Sequence, residues 1–163
     1  MPGLVRSRIS ARNPPGSTRR PVPWTVEEVL EQVAWAGEDA EAVARTLIGW
    51  AAGHAGIRIR GGRGLTDRAF TMYADSGRGK GVLSLYAAEN GGGPMLELRM
   101  EQISRPLHDH EARTQLMDDF RALGIPRLDA EDIATATRPN IPLDQLASGR
   151  LERLLTLVDR CLV

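Results

Sequence analysis

A single cysteine, a single lysine and an aromatic content of 4% limit what this chain of 163 residues can be. One thiol closes no internal disulfide, so the sequence is not that of a disulfide-stapled secreted domain. Cys161 falls in an apolar helical pattern near the C-terminus. It reads as a buried structural thiol, and a nucleophile would need an activating partner that is not adjacent in sequence. With so few rings, the core has to be filled by Leu, Ile, Val and Ala. Net charge is also absent: 21 basic residues balance 21 acidic ones. The overall basic field that announces many nucleic-acid binders is missing. No apolar run reaches the length of a membrane span. No apolar segment follows the N-terminal arginines, so they do not open a secretory signal. The expectation is a cytoplasmic protein with no membrane partner and no cofactor. Lys80 stands alone among arginines, and with the high Ala and Gly content this reads as genome composition rather than selection for anion binding.

What is present is uneven. Residues 1–22 carry Arg6, Arg8, Arg12, Arg19 and Arg20 and no acid, which leaves 21 acidic against 16 basic residues in the remainder. Residues 1–23 mix Pro, Gly, Ser and Arg without hydrophobic period, and too little surface can be buried there to offset chain entropy. They are expected to be a disordered basic arm. The preferred readings are a solvated tail or a start codon assigned too far upstream; the functional one is an arm that touches phosphates or acidic protein. Residues 24–163 are expected to form one domain of about 140 residues, large enough to bury about 68% of its unfolded surface.

Order is expected to begin at Trp24. Thr25-Val26-Glu27-Glu28 has the spacing of a capping box, and Trp24 and Val29 that of a hydrophobic staple. Val26, Val29, Leu30 and Val33 recur at helical spacing, with Gly37 as a stop. A second helix from about Glu38 to His54 places Val43, Leu47, Trp50, Ala51 and His54 near one face, with Gly56 ending it. Trp35 lies opposite the first apolar stripe; it either packs on the second helix, the preferred reading, or marks a contact surface. The middle third alternates with period two: Ile57 to Arg60, Phe70 to Ala74, Leu83 to Ala87 and Leu96 to Glu101. Such alternation predicts half-buried strands, and the short glycine-rich connections suit antiparallel neighbours. Beyond Pro106, Asp109 is a candidate cap for a helix carrying Ala112, Leu116, Phe120 and Leu123, closed by Gly124. A proline-punctuated stretch over 125–147 holds two short turns, near Asp129 to Ile133 and Leu143 to Leu146. A final helix spans about Gly149 to Leu162 with Ser148 as cap. The predicted fold is α+β: a helical hairpin, a four-stranded antiparallel meander, then two further helices, all packed on one sheet face.

The chemical motifs thin out under inspection. Gly79-Lys80 resembles the end of a phosphate-binding P-loop, but Gly81 replaces the Ser or Thr and Ala74 the first glycine. The dinucleotide fingerprint fails because Asp67 occupies the third glycine position. Hairpin loops explain these glycines better. His108-Asp109-His110 supplies metal-ligand residue types, with His54 or Asp119 as possible further ligands, but histidines two apart share no helix face. The preferred reading is a solvated helix start. Asp75 with Glu97 and Arg99 imitates a nuclease constellation, yet an arginine that stays protonated is a poor general base. No catalytic residue is assigned.

What remains is a basic set with rings between. Arg58 and Arg60 share one strand face, and Arg63, Arg68, Arg78 and Lys80 lie in or beside the first two hairpin loops. Those loops fall at opposite ends of the expected sheet. With Tyr73 and Tyr86 interleaved, the stripe is a candidate backbone-binding surface; the plainer reading is a solvated sheet face.

Two stretches carry a resemblance. One is Gly61-Gly62-Arg63-Gly64 followed by Phe70 and Leu83-Ser84-Leu85-Tyr86; the other is Gly124-Ile125-Pro126, Ile133 and Arg138-Pro139-Asn140-Ile141-Pro142-Leu143 before a closing helix. Over about residues 55–163 the chain is similar to an uncharacterised bacterial module often found C-terminal to predicted restriction-endonuclease-like domains. The resemblance implies an accessory role beside DNA-processing or defence proteins and brings no catalytic residue. The leading expectation is a non-enzymatic binding or accessory module whose partner is nucleic acid or a nucleic-acid enzyme. The alternatives are a protein–protein interaction domain that forms a homo-oligomer through Trp35 or an open sheet edge, and a metal-dependent hydrolase built on His108, His110 and an acid.

Overall fold

The structure, a computed structural model, describes residues 22–63, 68–74, 81–87, 92–128, 133–135, 137–147 and 149–162. Residues 1–21 of the expected arm lie outside these. The chain is α+β. Its first helix, α1 (Val26–Val33), starts at the expected capping box: Thr25 Oγ1 accepts from the Glu28 amide at 3.2 Å, and the Glu28 carboxylate accepts from the Thr25 N–H at 2.8 Å. Trp24 packs against the core in which Val29 and Val33 are buried. A short 3-10 turn, Ala34–Ala36, follows and ends at Gly37, whose φ of 119° lies in a region that side chains rarely allow. That glycine lets the chain reverse into α2 (Glu38–Gly53) and complete the hairpin. Helix α2 ends at Gly53, within one residue of the expected end at His54. His54 turns extended, and its Nδ1 accepts from the Gly56 N–H at 3.2 Å, which leads into the sheet.

Five strands follow, in the spatial order β1 (Ile57–Gly61), β2 (Ala69–Ala74), β3 (Gly81–Tyr86), β4 (Met95–Leu98) and β5 (Asn140–Pro142), every pair antiparallel. The expected meander is therefore extended by one strand, since β5 pairs with β4 through Leu96–Ile141 and Glu97–Asn140. Pro142 is tolerated there because an edge strand leaves one side of its backbone unpaired. The alternation that ran on to Glu101 is cut short at Leu98, where the chain enters α3 (Met100–Ile103). Met100 and Ile103 are both fully buried, and residues three apart can face the same core only on a helical turn.

Helix α4 (His110–Arg121) is capped by Asp109, which accepts from the Ala112 amide, and it buries Leu116, Met117 and Phe120. Ala112, expected on that stripe, is only half-buried. The expected turn near Leu143 to Leu146 is a 3-10 turn, whereas most of the one near Asp129 lies outside the described residues. Helix α5 (Arg150–Leu162) buries Leu151, Leu154, Leu155, Leu157, Val158 and Cys161. A fully buried Leu contributes about 2 kcal/mol relative to exposure, so packing of this stripe, more than propensity, holds α5 in place. Its expected cap, Ser148, is outside the described residues. Burial pushes the Cys161 thiol above its ordinary value, with Arg160 opposing, as befits a structural thiol.

The core is one cluster joining buried residues of all five helices to one face of the sheet. Register fixes that face as Ile59–Met72–Leu83–Leu98 beside Phe70–Leu85–Leu96–Ile141. A bulge between Met72 and Tyr73 leaves Val82 as the extra residue and brings Tyr73 opposite Gly81. The opposite face thus stays outside the core.

Candidate nucleic-acid interface

The same register that buries one face writes three rows on the other. Arg58 stands beside Tyr73; Arg60, Thr71, Ser84, Glu97 and Asn140 cross the whole sheet; Ala69, Tyr86, Met95 and Pro142 form the third row. Arg58 and Arg60 are exposed on the edge strand, as expected, and the Arg60 guanidinium lies over the Tyr73 ring, 5.3 Å from its centroid. Stacking of this kind occupies the π face of the guanidinium and leaves its in-plane N–H donors to other partners. Charged side chains on an edge strand also discourage accidental pairing with another sheet.

The centre of the face is polar and tightly filled. Ser84 is fully buried; its hydroxyl is 3.0 Å from Thr71 Oγ1 and accepts from Arg99 at 3.3 Å. Arg99 also donates to Glu97 at 2.9 Å. That pair answers the nuclease imitation: Glu97 is neutralised by Arg99 itself, and Asp75 lies outside the described residues. The Asn140 carboxamide oxygen at the far end is buried without a described hydrogen-bond partner.

Arg63 and Arg68 flank the first hairpin loop. Arg63 is exposed, whereas Arg68 lies over the Trp24 ring at 4.8 Å from its centroid. Trp24 reaches this end of the sheet because its N–H donates to Gly62 O at 2.9 Å and its backbone crosses Gly61. Pro23 comes with it, and a cleft of about 540 Å³ forms between Pro23, Arg60, Gly61, Gly62, Arg63 and Tyr73. Residues 22–23, expected within the arm, are therefore described, and Pro23 helps to build this cleft. Arg60 and Arg63 make no ion pair with a described residue. Arg78 and Lys80, assigned to the same basic set, lie outside the described residues. Strand β2 separates their loop from the first one, so Arg58, Arg60, Arg63 and Tyr73 form the group that the structure brings together, with Arg68 turned to Trp24.

The other sequence-derived candidates are scattered. His108 and His110 are both exposed. The groups named as further ligands are engaged elsewhere: His54 sits 3.5 Å from Asp159, and Asp119 pairs with Arg160 at 3.0 Å. No group of three or more His, Cys, Asp or Glu able to hold a metal is found among the described residues. The Asp159 carboxylate also accepts from Trp50 Nε1 at 3.0 Å, which ties α2 to α5 and explains why Trp50 and His54 share a face. Trp35 does not pack on the second helix as preferred: it is 73% exposed, on the 3-10 turn between α1 and α2. That turn rotates its side chain off both apolar stripes. No helix among the described residues is long and apolar enough to cross a membrane.

Comparison with family models, with curated protein sequences and with solved structures gave no match.

Proposed function

We propose that the protein is a non-enzymatic accessory module that binds the backbone of single-stranded nucleic acid on the open face of its sheet. One observation carries this reading: Arg58 and Arg60 stand exposed beside Tyr73 on a face that takes no part in the core, with Arg60 held over the ring. Positive side chains that follow a phosphate backbone, with rings on which bases stack, are the means by which sequence-tolerant single-strand binders work. An open sheet face with half-buried tyrosines suits splayed bases better than the edges of a duplex. The neutral chain as a whole keeps the attraction local and the affinity modest. The resemblance noted in the sequence supports an accessory role beside a nucleic-acid-processing partner, and the single cysteine suits a cytoplasmic one.

Fluorescence anisotropy with a labelled oligothymidine tests this directly. Binding should be measurable at low ionic strength and should weaken as salt rises, with a log–log slope of about 0.7 for each phosphate contact. Three arginine contacts therefore predict a slope near 2. No binding at low salt would remove the reading. Repeating the titration without residues 1–21 separates the five arginines of that segment from those of the sheet.

A second reading rests on Trp35, whose exposure is unusual for so large an apolar ring. Here the turn between α1 and α2 is a contact surface for a second copy of the chain. Light scattering should then give twice the mass of one chain, and Trp35→Ala should return it to one. A monomer at all concentrations excludes this reading.

A further inference from the structure

We infer that the cleft at the end of β1 is a dedicated site for one terminal phosphate of a nucleic-acid strand, with Arg60 and Arg63 as its ligands. This deepens the reading of the sheet face and rests on it.

Size comes first. A volume of about 540 Å³ falls within the range of small-molecule sites and accommodates one nucleotide, not a run of them. Charge points the same way. Among the described residues, two guanidinium groups and no carboxylate line the cleft, and neither arginine is neutralised by an ion pair there. A terminal phosphate monoester carries up to two negative charges near neutral pH, against one for a phosphate within a strand. A pair of arginines therefore favours the end of a strand over its interior. Guanidinium forks also match phosphate oxygens two at a time.

Pre-organisation is the third point. Arg60 is held over Tyr73, so less rotamer freedom is lost when it grips an anion. Tyr73 is in this sense a positioning residue. The opposite wall is equally fixed: Gly62 donates to Ala69 O at 2.7 Å and accepts from the Trp24 N–H at 2.9 Å. The cleft is therefore built before a ligand arrives. A strand whose end is seated here can continue over Tyr73 and Thr71 toward Arg99, whose side chain covers Ser84.

The test titrates the full chain with thymidine 5′-monophosphate and with thymidine, followed by NMR shifts of the backbone amides. The monophosphate should perturb Gly61, Gly62 and Arg63, and thymidine should not. Arg60→Gln and Arg63→Gln should each weaken the monophosphate by about tenfold, the value of one charge-assisted contact. Arg127→Gln, on an exposed turn outside the cleft, should leave it unchanged. Tyr73→Leu should weaken it less than loss of either arginine, and Tyr73→Phe, which keeps the ring, should not. Both arginines are exposed, so unchanged thermal unfolding confirms that the variants fold. Equal response to thymidine and its monophosphate, or indifference to both arginine substitutions, overturns the inference. An oligothymidine that binds through Arg58 while the monophosphate fails would overturn the cleft and spare the sheet face. A monophosphate that binds while no oligothymidine does would keep the anion site but overturn its assignment to strand ends.

Discussion

Gly61→Ala should lower the stability of the fold by about 3 kcal/mol, the upper end of what overpacking costs. A Cβ at this position would overlap the carbonyl oxygen and carbon of Trp24, which are backbone atoms and cannot rotate away. The cheapest escape is for the Trp24 segment to lift off the sheet. That releases the Trp24 N–H···O bond to Gly62, worth about 1 kcal/mol, together with the Arg68 contact on the ring and part of the packing of Trp24 on the core. The capping box would be left without the chain that leads into it. Denaturant unfolding followed by tryptophan fluorescence measures the loss, and Gly93→Ala is the control, because a Cβ there meets nothing within 4 Å. An unchanged midpoint for Gly61→Ala would mean that Trp24 does not cross β1. Because Pro23 leaves with Trp24, the same substitution should also open the cleft.

The second large effect is expected from charge reversal on the open face. Arg58→Glu combined with Arg60→Glu should weaken oligothymidine binding by about a hundredfold at low ionic strength, since like charges brought together at an interface cost several kcal/mol. Both positions are exposed, so the fold should hold and unfolding midpoints should move little. The lysine pair, Arg58→Lys with Arg60→Lys, should retain most of the affinity, because the backbone attraction is electrostatic first. Undiminished binding in the glutamate pair would place the interface elsewhere, with residues 1–21 as the next segment to remove.

Much of the architecture was legible because local chemistry and tertiary need agree. Thr25 and Glu28 signal a helix start wherever they stand, Gly37 and Gly124 mark conformations that other residues avoid, and the alternation of β1 and β2 follows from one less buried face, whereas β3, expected to be half-buried, is buried on both faces from Gly81 to Leu85. The failures have equally local causes. Asn140-Ile141-Pro142 is too short for a period and contains a residue that usually argues against strands. Met100 continues the alternation in phase, so nothing before Ile103 signals that the chain has turned helical. Trp35 sits at a helix end, where one residue of 3-10 winding decides whether a ring is buried or bare. The candidate site was half legible: Arg58, Arg60 and Tyr73 are plain in the sequence, but their company is not. Register places Arg60 in line with Thr71, Ser84, Glu97 and Asn140, and register is set by turns and a bulge that composition does not encode. The approach of Trp24 to Gly61 and Gly62 joins distant parts of the chain, and only the missing side chain at Gly61 hints at it.

The strand order also has a kinetic side. Strands β1 to β4 are neighbours in sequence as well as in space, so each can be added to the last by closing one short loop. Strand β5 is different. Its residues reach β4 only after the chain has passed through α3 and α4, and closing so long a loop is entropically dearer than zipping a hairpin. The two edges of one sheet are thus made on different schedules. The edge that carries the arginines forms from local contacts, whereas the edge that carries Asn140 waits for the helices to gather.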